Sequence, residues 1–417
     1  MSLALRFSPG MNNHPGQIVS GDDFFDRDWE LQQLLEHIEA IIPVLLSAPR
    51  RVGKSSLLLK ALETLRGKGW VSLNLDFQDK STEEEFFAHL IEAIEKAGVR
   101  LPLLDRTKKT LKAVKHWRPS KVTVGTDEGS FSAEWDAPDS GKEGSLGLEF
   151  EKLLGALSEK HPHVVIGMDE FPIFLAKLQA QPDGPARVDA LLRWLRRVRL
   201  ATTNRLVWVF CGSIGLDTFV QIHGLEGTIN DLVHQKLGPF DEATARQCLF
   251  ELAKSPQNPL RMTDTLATAI IEKIGWLLPY YIQLMYHALR SLPPGQRSKD
   301  FPAPADVDAA YELLLEPGSA TYFSHWDSRL DEQLDPARAA TCRFLLKTIC
   351  LAKKGVTRAR LLTAMIARRP QSDPEEVERD LIFALEMLER DGYLHRDGNL
   401  CAFRSPLLRD FWKRRNT

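Results

Sequence analysis

Ile41-Ile42-Pro43-Val44-Leu45-Leu46-Ser47-Ala48-Pro49-Arg50-Arg51-Val52-Gly53-Lys54-Ser55-Ser56-Leu57-Leu58-Leu59-Lys60-Ala61-Leu62 is the stretch that decides the fold. Its first six residues form an apolar run of strand length. Leu57 to Leu65 is rich in helix formers and ends at Gly67. Between them stands Gly-Lys-Ser, so the order is strand, turn, helix, with Lys54 and Ser55 at the helix start. Backbone N–H groups of such a turn, together with the helix N-terminus, form a cradle for a polyphosphate. The candidate nucleotide-binding residues are therefore Ala48, Pro49, Arg50, Arg51, Val52, Gly53, Lys54, Ser55 and Ser56. Lys54 is assigned to the β- and γ-phosphates of ATP and Ser55 to Mg²⁺. Ala48 occupies the first glycine position of G-x-x-x-x-G-K-[ST], which an alanine tolerates where φ is negative. Gly53 keeps the close backbone approach. Taken alone, the loop also admits a chance Gly-Lys-Ser at a helix start.

Two further runs narrow the choice. His163 to Met168 is an apolar strand that ends in Asp169-Glu170. Side chains alternate along a strand, so the two acids point different ways. Asp169 suits the Mg²⁺ water shell, and Glu170 suits a water aimed at the γ-phosphate. The competing reading is a strand that merely ends in surface acids. Arg205 to Cys211 is another apolar strand, followed by Gly212-Ser213. If it lies between the other two, Ser213 becomes a γ-phosphate sensor; otherwise Gly212-Ser213 only opens a turn.

The whole chain agrees with a nucleotide-binding protein of several domains. Its 417 residues predict two or three domains at about 150 residues each. Lys+Arg of 54 against Asp+Glu of 56 leaves no global electrostatic attraction to nucleic acid. The five cysteines form no C-x-x-C pair and read as reduced core thiols. No apolar run is long enough to span a bilayer, and Met1 to Gly10 does not read as a signal peptide. The expected location is the cytoplasm.

Together these motifs resemble the additional-strand P-loop ATPases, and among them the archaeal-type group related to STAND regulators and origin-recognition AAA+ proteins. Pro49-Arg50-Arg51-Val52-Gly53-Lys54 is similar to the group's P-R-R-x-G-K, and Asp169-Glu170-Phe171-Pro172 to its D-E-F-P. Phe25-Asp26-Arg27-Asp28-Trp29-Glu30-Leu31 resembles F-x-G-R-x-x-E-L, with Asp26 in place of the glycine; the resemblance puts Arg27 near the adenine. Leu237-Gly238-Pro239-Phe240 resembles the last core strand leading into the lid. Gly275 to Tyr280 resembles the lid element whose proline, Pro279, packs on the base. The resemblance implies an α/β fold: a parallel AAA+-like core, a helical lid and a C-terminal winged helix. It also implies ATP hydrolysis with Mg²⁺. Two departures stand out. No arginine occurs from Asp217 to Leu237, the usual place of a trans-acting finger, and none stands beside Pro279 as a second sensor. A monomer or weak oligomer is expected. Arg50 and Arg51 read either as partial substitutes or as loop-surface charges.

The expected domains are an ATPase core at 1–240 with an insertion at about 100–150, a lid and linker at 241–334, and a winged helix at 335–417. The insertion carries Lys108, Lys109, Lys112, Lys115 and Arg118 around Trp117, then a hairpin from Val122 to Trp135. It reads either as a solvated basic face or as a nucleic-acid or acidic-partner surface. The candidate recognition helix, Pro374 to Arg390, carries six acids and two arginines, Arg379 and Arg390. Phosphates would be repelled there, so a protein partner is expected in preference to nucleic acid. A DNA-binding initiator and a non-hydrolysing pseudoenzyme are the alternative functions.

Overall fold

The computed structural model describes residues 10–113, 146–202, 205–212 and 215–416. The predicted hairpin from Val122 to Trp135, with Lys115, Trp117 and Arg118, lies outside the described residues. The chain divides into two compact units. A sheet unit comprises Arg27–Ser47 and Leu57–Lys236. A lid unit comprises the chain up to Asp26, the loop Ala48–Ser56, and everything from Leu237 onward.

In chain order the sheet unit contains α1 (Asp28–Glu39), β1 (Val44–Ser47), most of α2 (Lys54–Gly67), β2 (Val71–Asp76), α3 (Glu83–Lys96), α4 (Pro102–Ala113), α5 (Leu146–Lys160), β3 (Val164–Asp169), α6 (Phe171–Gln179), α7 (Gly184–Ala201), β4 (Leu206–Cys211), α8 (Leu216–His223) and β5 (Val233–Lys236). The strands are all parallel, in the order β2-β3-β4-β1-β5. Every residue of β3 and β4 is buried, which is why both read as unbroken apolar runs. The additional strand β4 pairs with β3 on one side and β1 on the other. Parallel pairing brings the carboxyl ends of β1, β3 and β4 to one edge of the sheet, where ligands of open α/β sheets bind.

Local chemistry accounts for the flanking helices. Thr82 and Glu85 form a reciprocal capping box at the start of α3. Glu83, fully buried, is held by Arg187 of α7 (Nε–Oε1 2.9 Å). The arginines of α7 do not simply face water. Arg193 pairs with Asp189, Arg197 with Glu151, and Arg199, 2% exposed, with Asp231 at 2.8 Å. Arg199 also donates to Thr228 O (2.6 Å), which holds the turn ahead of β5.

The lid unit continues with α9 (Glu242–Lys254), α10 (Asp264–Ile274), α11 (Pro279–Arg290), α12 (Asp306–Leu314) and α13 (Thr321–Gln333). Then come α14 (Pro336–Cys350), β6 (Val356–Thr357), α15 (Arg358–Arg368), α16 (Pro374–Arg390), β7 (Leu394–Asp397), β8 (Leu400–Phe403) and α17 (Pro406–Asn416). The last seven elements form a winged helix whose sheet runs β6-β8-β7. The hairpin turns at Gly398, and α16 has the bounds read from sequence. One expectation is corrected. Leu237-Gly238-Pro239-Phe240 is not the last core strand; that strand is β5, which ends at Lys236. Pro239 has no N–H to give a ladder, and Phe240 N donates instead to Leu277 O (3.0 Å). The five cysteines are buried, and none is joined in a disulfide among the described residues. Among the described residues no helix is long and apolar enough to cross a membrane.

Candidate functional site

The loop between β1 and α2 is built as its sequence implies. Gly53 has φ +98°, and a Cβ there would meet nothing within 4 Å, so the backbone lies open at the helix start. Ala48 is not among the positive-φ residues, so the missing first glycine costs no strain. Val52 is buried and anchors the loop. Lys54 is 6% exposed, and its Nζ donates to Ala48 O (2.8 Å) and Pro49 O (2.9 Å). The ammonium is thus folded back over carbonyls of its own loop. Ser56 Oγ accepts from Val19 N (3.1 Å), whereas Ser55, next to it, is half-buried. Neither arginine is a free surface charge. Arg50 donates to His325 O (3.4 Å); Arg51 donates to Gly16 O (2.9 Å) and lies over the Tyr280 ring.

The stretch from Met11 to Asp23 was given no part by sequence reasoning, yet it straps the loop to the lid helices. Besides the Val19 and Gly16 contacts, Asn13 Nδ2 donates to Gln283 O (3.3 Å) and His14 N to Gln283 Oε1 (3.0 Å). Only its glycines and Pro15 stand out in sequence, and these mark turns without naming a neighbour. Pro279 is the first residue of α11, half-buried, preceded by the Gly275–Leu278 turn.

In the sheet unit, Asp169 closes β3, 8% exposed, and its Oδ1 accepts from Glu170 N (3.0 Å). Glu170 adopts a left-handed φ of 52°, a costly conformation for a glutamate that recurs at functional sites. Phe171 explains how it is held. Its fully buried ring packs on Phe77 (5.8 Å) and Phe210 (5.4 Å), with Pro172 beside it in the first turn of α6. Arg27 is buried with φ 74°, and its guanidinium meets Glu30 at 2.7 Å. Asp26, in place of the resembled glycine, keeps a left-handed φ of 55°. Aspartate tolerates that region better than most residues. Ser213 lies outside the described residues; the strand that leads to it, β4, is described.

Charge on the winged helix differs from its sequence reading. Three of the six acids on α16 are neutralised from outside: Glu378 by Arg358 (2.6 Å), Asp380 by Arg369 (2.5 Å) and Glu389 by Arg396 (2.5 Å). Arg414 pairs with Glu312, and Arg415 with Asp327 (2.7 Å). Lys353, Lys354, Arg360 and Arg368 are exposed near α15. The helix charge therefore does not by itself exclude a phosphate backbone. In the insertion, Arg106 and Lys108 are paired with Glu149 and Glu95.

Two solved ATPase-type structures superpose on the chain over nearly its whole length. A Walker-type ATPase of Pyrococcus abyssi superposes with a TM-score of 0.60 at 18% identity, covering 94% of this chain and 97% of its own. The ORC2 protein of Aeropyrum pernix, solved with ADPNP and ADP, superposes with a TM-score of 0.54 at 10% identity, covering 97% and 96%. The chain has the fold of the Walker-type and origin-recognition ATPases. No family model matches the sequence, and no curated protein does. At such identities the likeness speaks for the fold; chemistry has to be argued from the residues.

Proposed function

We propose that the chain is a Mg²⁺-dependent ATPase acting as a nucleotide-controlled switch, in the manner of the regulators its motifs resemble. The observation that carries the reading is β4, inserted between β1, which leads into the loop, and β3, which ends in Asp169-Glu170. Lys54 exchanges its bonds to Ala48 O and Pro49 O for phosphate oxygens, and the open backbone at Gly53 gives the phosphates room. Ser55 and Asp169 would hold Mg²⁺, which neutralises phosphate charge when bound. Glu170 orients and polarises the attacking water, and Ser213 senses the γ-phosphate. The motif resemblance assigns Arg27 and Pro279 to the base. ADP remains after hydrolysis, and the lid and winged helix reset on an unidentified protein partner in the cytoplasm.

The experiment is calorimetric titration of ATP with Mg²⁺ alongside phosphate release. Lys54→Ala should weaken ATP binding at least about tenfold, the scale of a charge-assisted hydrogen bond. Glu170→Gln should bind ATP and lose turnover. Full turnover in Glu170→Gln removes that residue from the water-activating role. A second reading, a DNA-binding initiator, is favoured by the exposed Lys353, Lys354, Arg360 and Arg368 and by the neutralised acids of α16. Salt-dependent retention on duplex DNA, lost in Lys353→Ala/Lys354→Ala/Arg360→Ala, selects it.

A further inference from the structure

The lid element Gly275 to Tyr280 contains no arginine, yet an arginine stands on it, supplied by the phosphate loop. Arg51 takes a left-handed φ of 68°, and its guanidinium carbon lies 4.7 Å from the centroid of the Tyr280 ring. Its Nη1 donates to Gly16 O at 2.9 Å. Gly16 has φ +80°, and a Cβ there would stand 3.0 Å from Arg51 Nη1 and 3.2 Å from Tyr280 Cε2. Any other residue at 16 would both strain the strap and displace the stack. Tyr280 is the second residue of α11, and its hydroxyl donates to Tyr322 O of α13 (3.0 Å). The guanidinium is not saturated: Arg51 Nε is buried without a hydrogen-bond partner among the described residues. A guanidinium offers five N–H donors in a fixed plane, so it can grip a ring face and an oxygen together.

We propose that Arg51 is this chain's lid-sensing arginine, a positioning residue that replaces from the loop side the arginine missing beside Pro279. The inference rests on the ATP-switch reading above. A triphosphate in the loop attracts the guanidinium by charge and fixes it. Stacking and the Gly16 carbonyl then pass that constraint to the first turn of α11 and to the strap. A lysine keeps the charge but lacks the planar face, so it can bind phosphate without gripping Tyr280.

The test is hydrogen exchange on the full chain with and without ATP and Mg²⁺, in parallel with ATP calorimetry. In the wild type, ATP should slow exchange at residues 13–17 and 280–283 by about tenfold, the scale of a desolvated cation–π contact. At ATP concentrations that saturate it, Arg51→Lys should lose that slowing, since the planar contact to Tyr280 is removed. Tyr280→Leu should behave likewise, and Arg51→Lys/Tyr280→Leu should lose nothing more. Persistence of the slowing in Arg51→Lys and Tyr280→Leu overturns the proposal. So does loss of ATP binding in Tyr280→Leu, because it would place the tyrosine on the nucleotide and not on the arginine. A wild type that binds no ATP overturns the nucleotide reading and this inference with it, whereas the first two outcomes overturn the inference alone.

Discussion

Lowering the pH from 7.5 to 5 should destabilise the lid unit through one side chain, His325 of α13. Both of its ring nitrogens are buried without hydrogen-bond partners among the described residues, and the ring lies 6.2 Å from Tyr280 and 5.5 Å from Trp326. Burial drives its pKa down to about 2, helped by Arg51 and Arg50 from the loop and Arg329 one turn along α13. In the unfolded chain the same histidine titrates near its ordinary value of about 6.5. Between those two values the unfolded state binds a proton that the folded state refuses, so stability falls as pH falls. With an unfolded pKa of about 6.5, the loss from pH 7.5 to pH 5 is about 2 kcal/mol. His325→Gln is similar in size and does not titrate, so its own pH profile supplies the background from every other group. Because unfolding of a two-unit chain need not be two-state, the difference is best read locally, from amide exchange along α13 at both pH values. The wild type should lose about 2 kcal/mol more protection than His325→Gln. Parallel profiles for the two proteins would refute the argument.

Asp391→Ala should cost about 3–5 kcal/mol in urea denaturation, because it strands a buried guanidinium. Arg329 and Asp391 meet at 3.2 Å with side chains 1% and 4% exposed, and a loss under about 1 kcal/mol would contradict the pairing. Light scattering should give the mass of one chain at micromolar concentration, given the absence of arginine from Asp217 to Leu237; a stable ring with concentration-dependent turnover would refute this.

The fold was legible because its decisive strands are buried on both faces. β3 and β4 read as apolar runs for that reason, and α16 was bounded correctly because Asp373 caps a strongly amphipathic helix. What could not be read was position across the sheet. No residue of Leu206–Cys211 states that it lies between β1 and β3; hydrogen-bond pairing decides that. Charge was misjudged for the same reason. The acids of α16 look repulsive in a linear count, but Arg358, Arg369 and Arg396 reach them from α15, the segment after it and the wing. The last strand was placed four residues late, at a segment whose proline cannot join a ladder.

Sequence names the residues proposed for the site by type but says nothing of their conformation, and the two together say more than either alone. Among the described residues six non-glycines have positive φ, and four of them, Asp26, Arg27, Arg51 and Glu170, fall on the motifs singled out from sequence. Left-handed backbone at such residues is held only where the surroundings over-determine it. Those surroundings are visible: the Phe171 anchor behind Glu170, the Glu30 pair at Arg27, and the Gly16 and Tyr280 contacts at Arg51. A loop that needed only to bind phosphate could relax Arg51 into an ordinary conformation and leave its charge in water. That it instead keeps the guanidinium on a lid tyrosine, beside a glycine whose Cβ would crowd both groups, supports the proposal that loop and lid respond together.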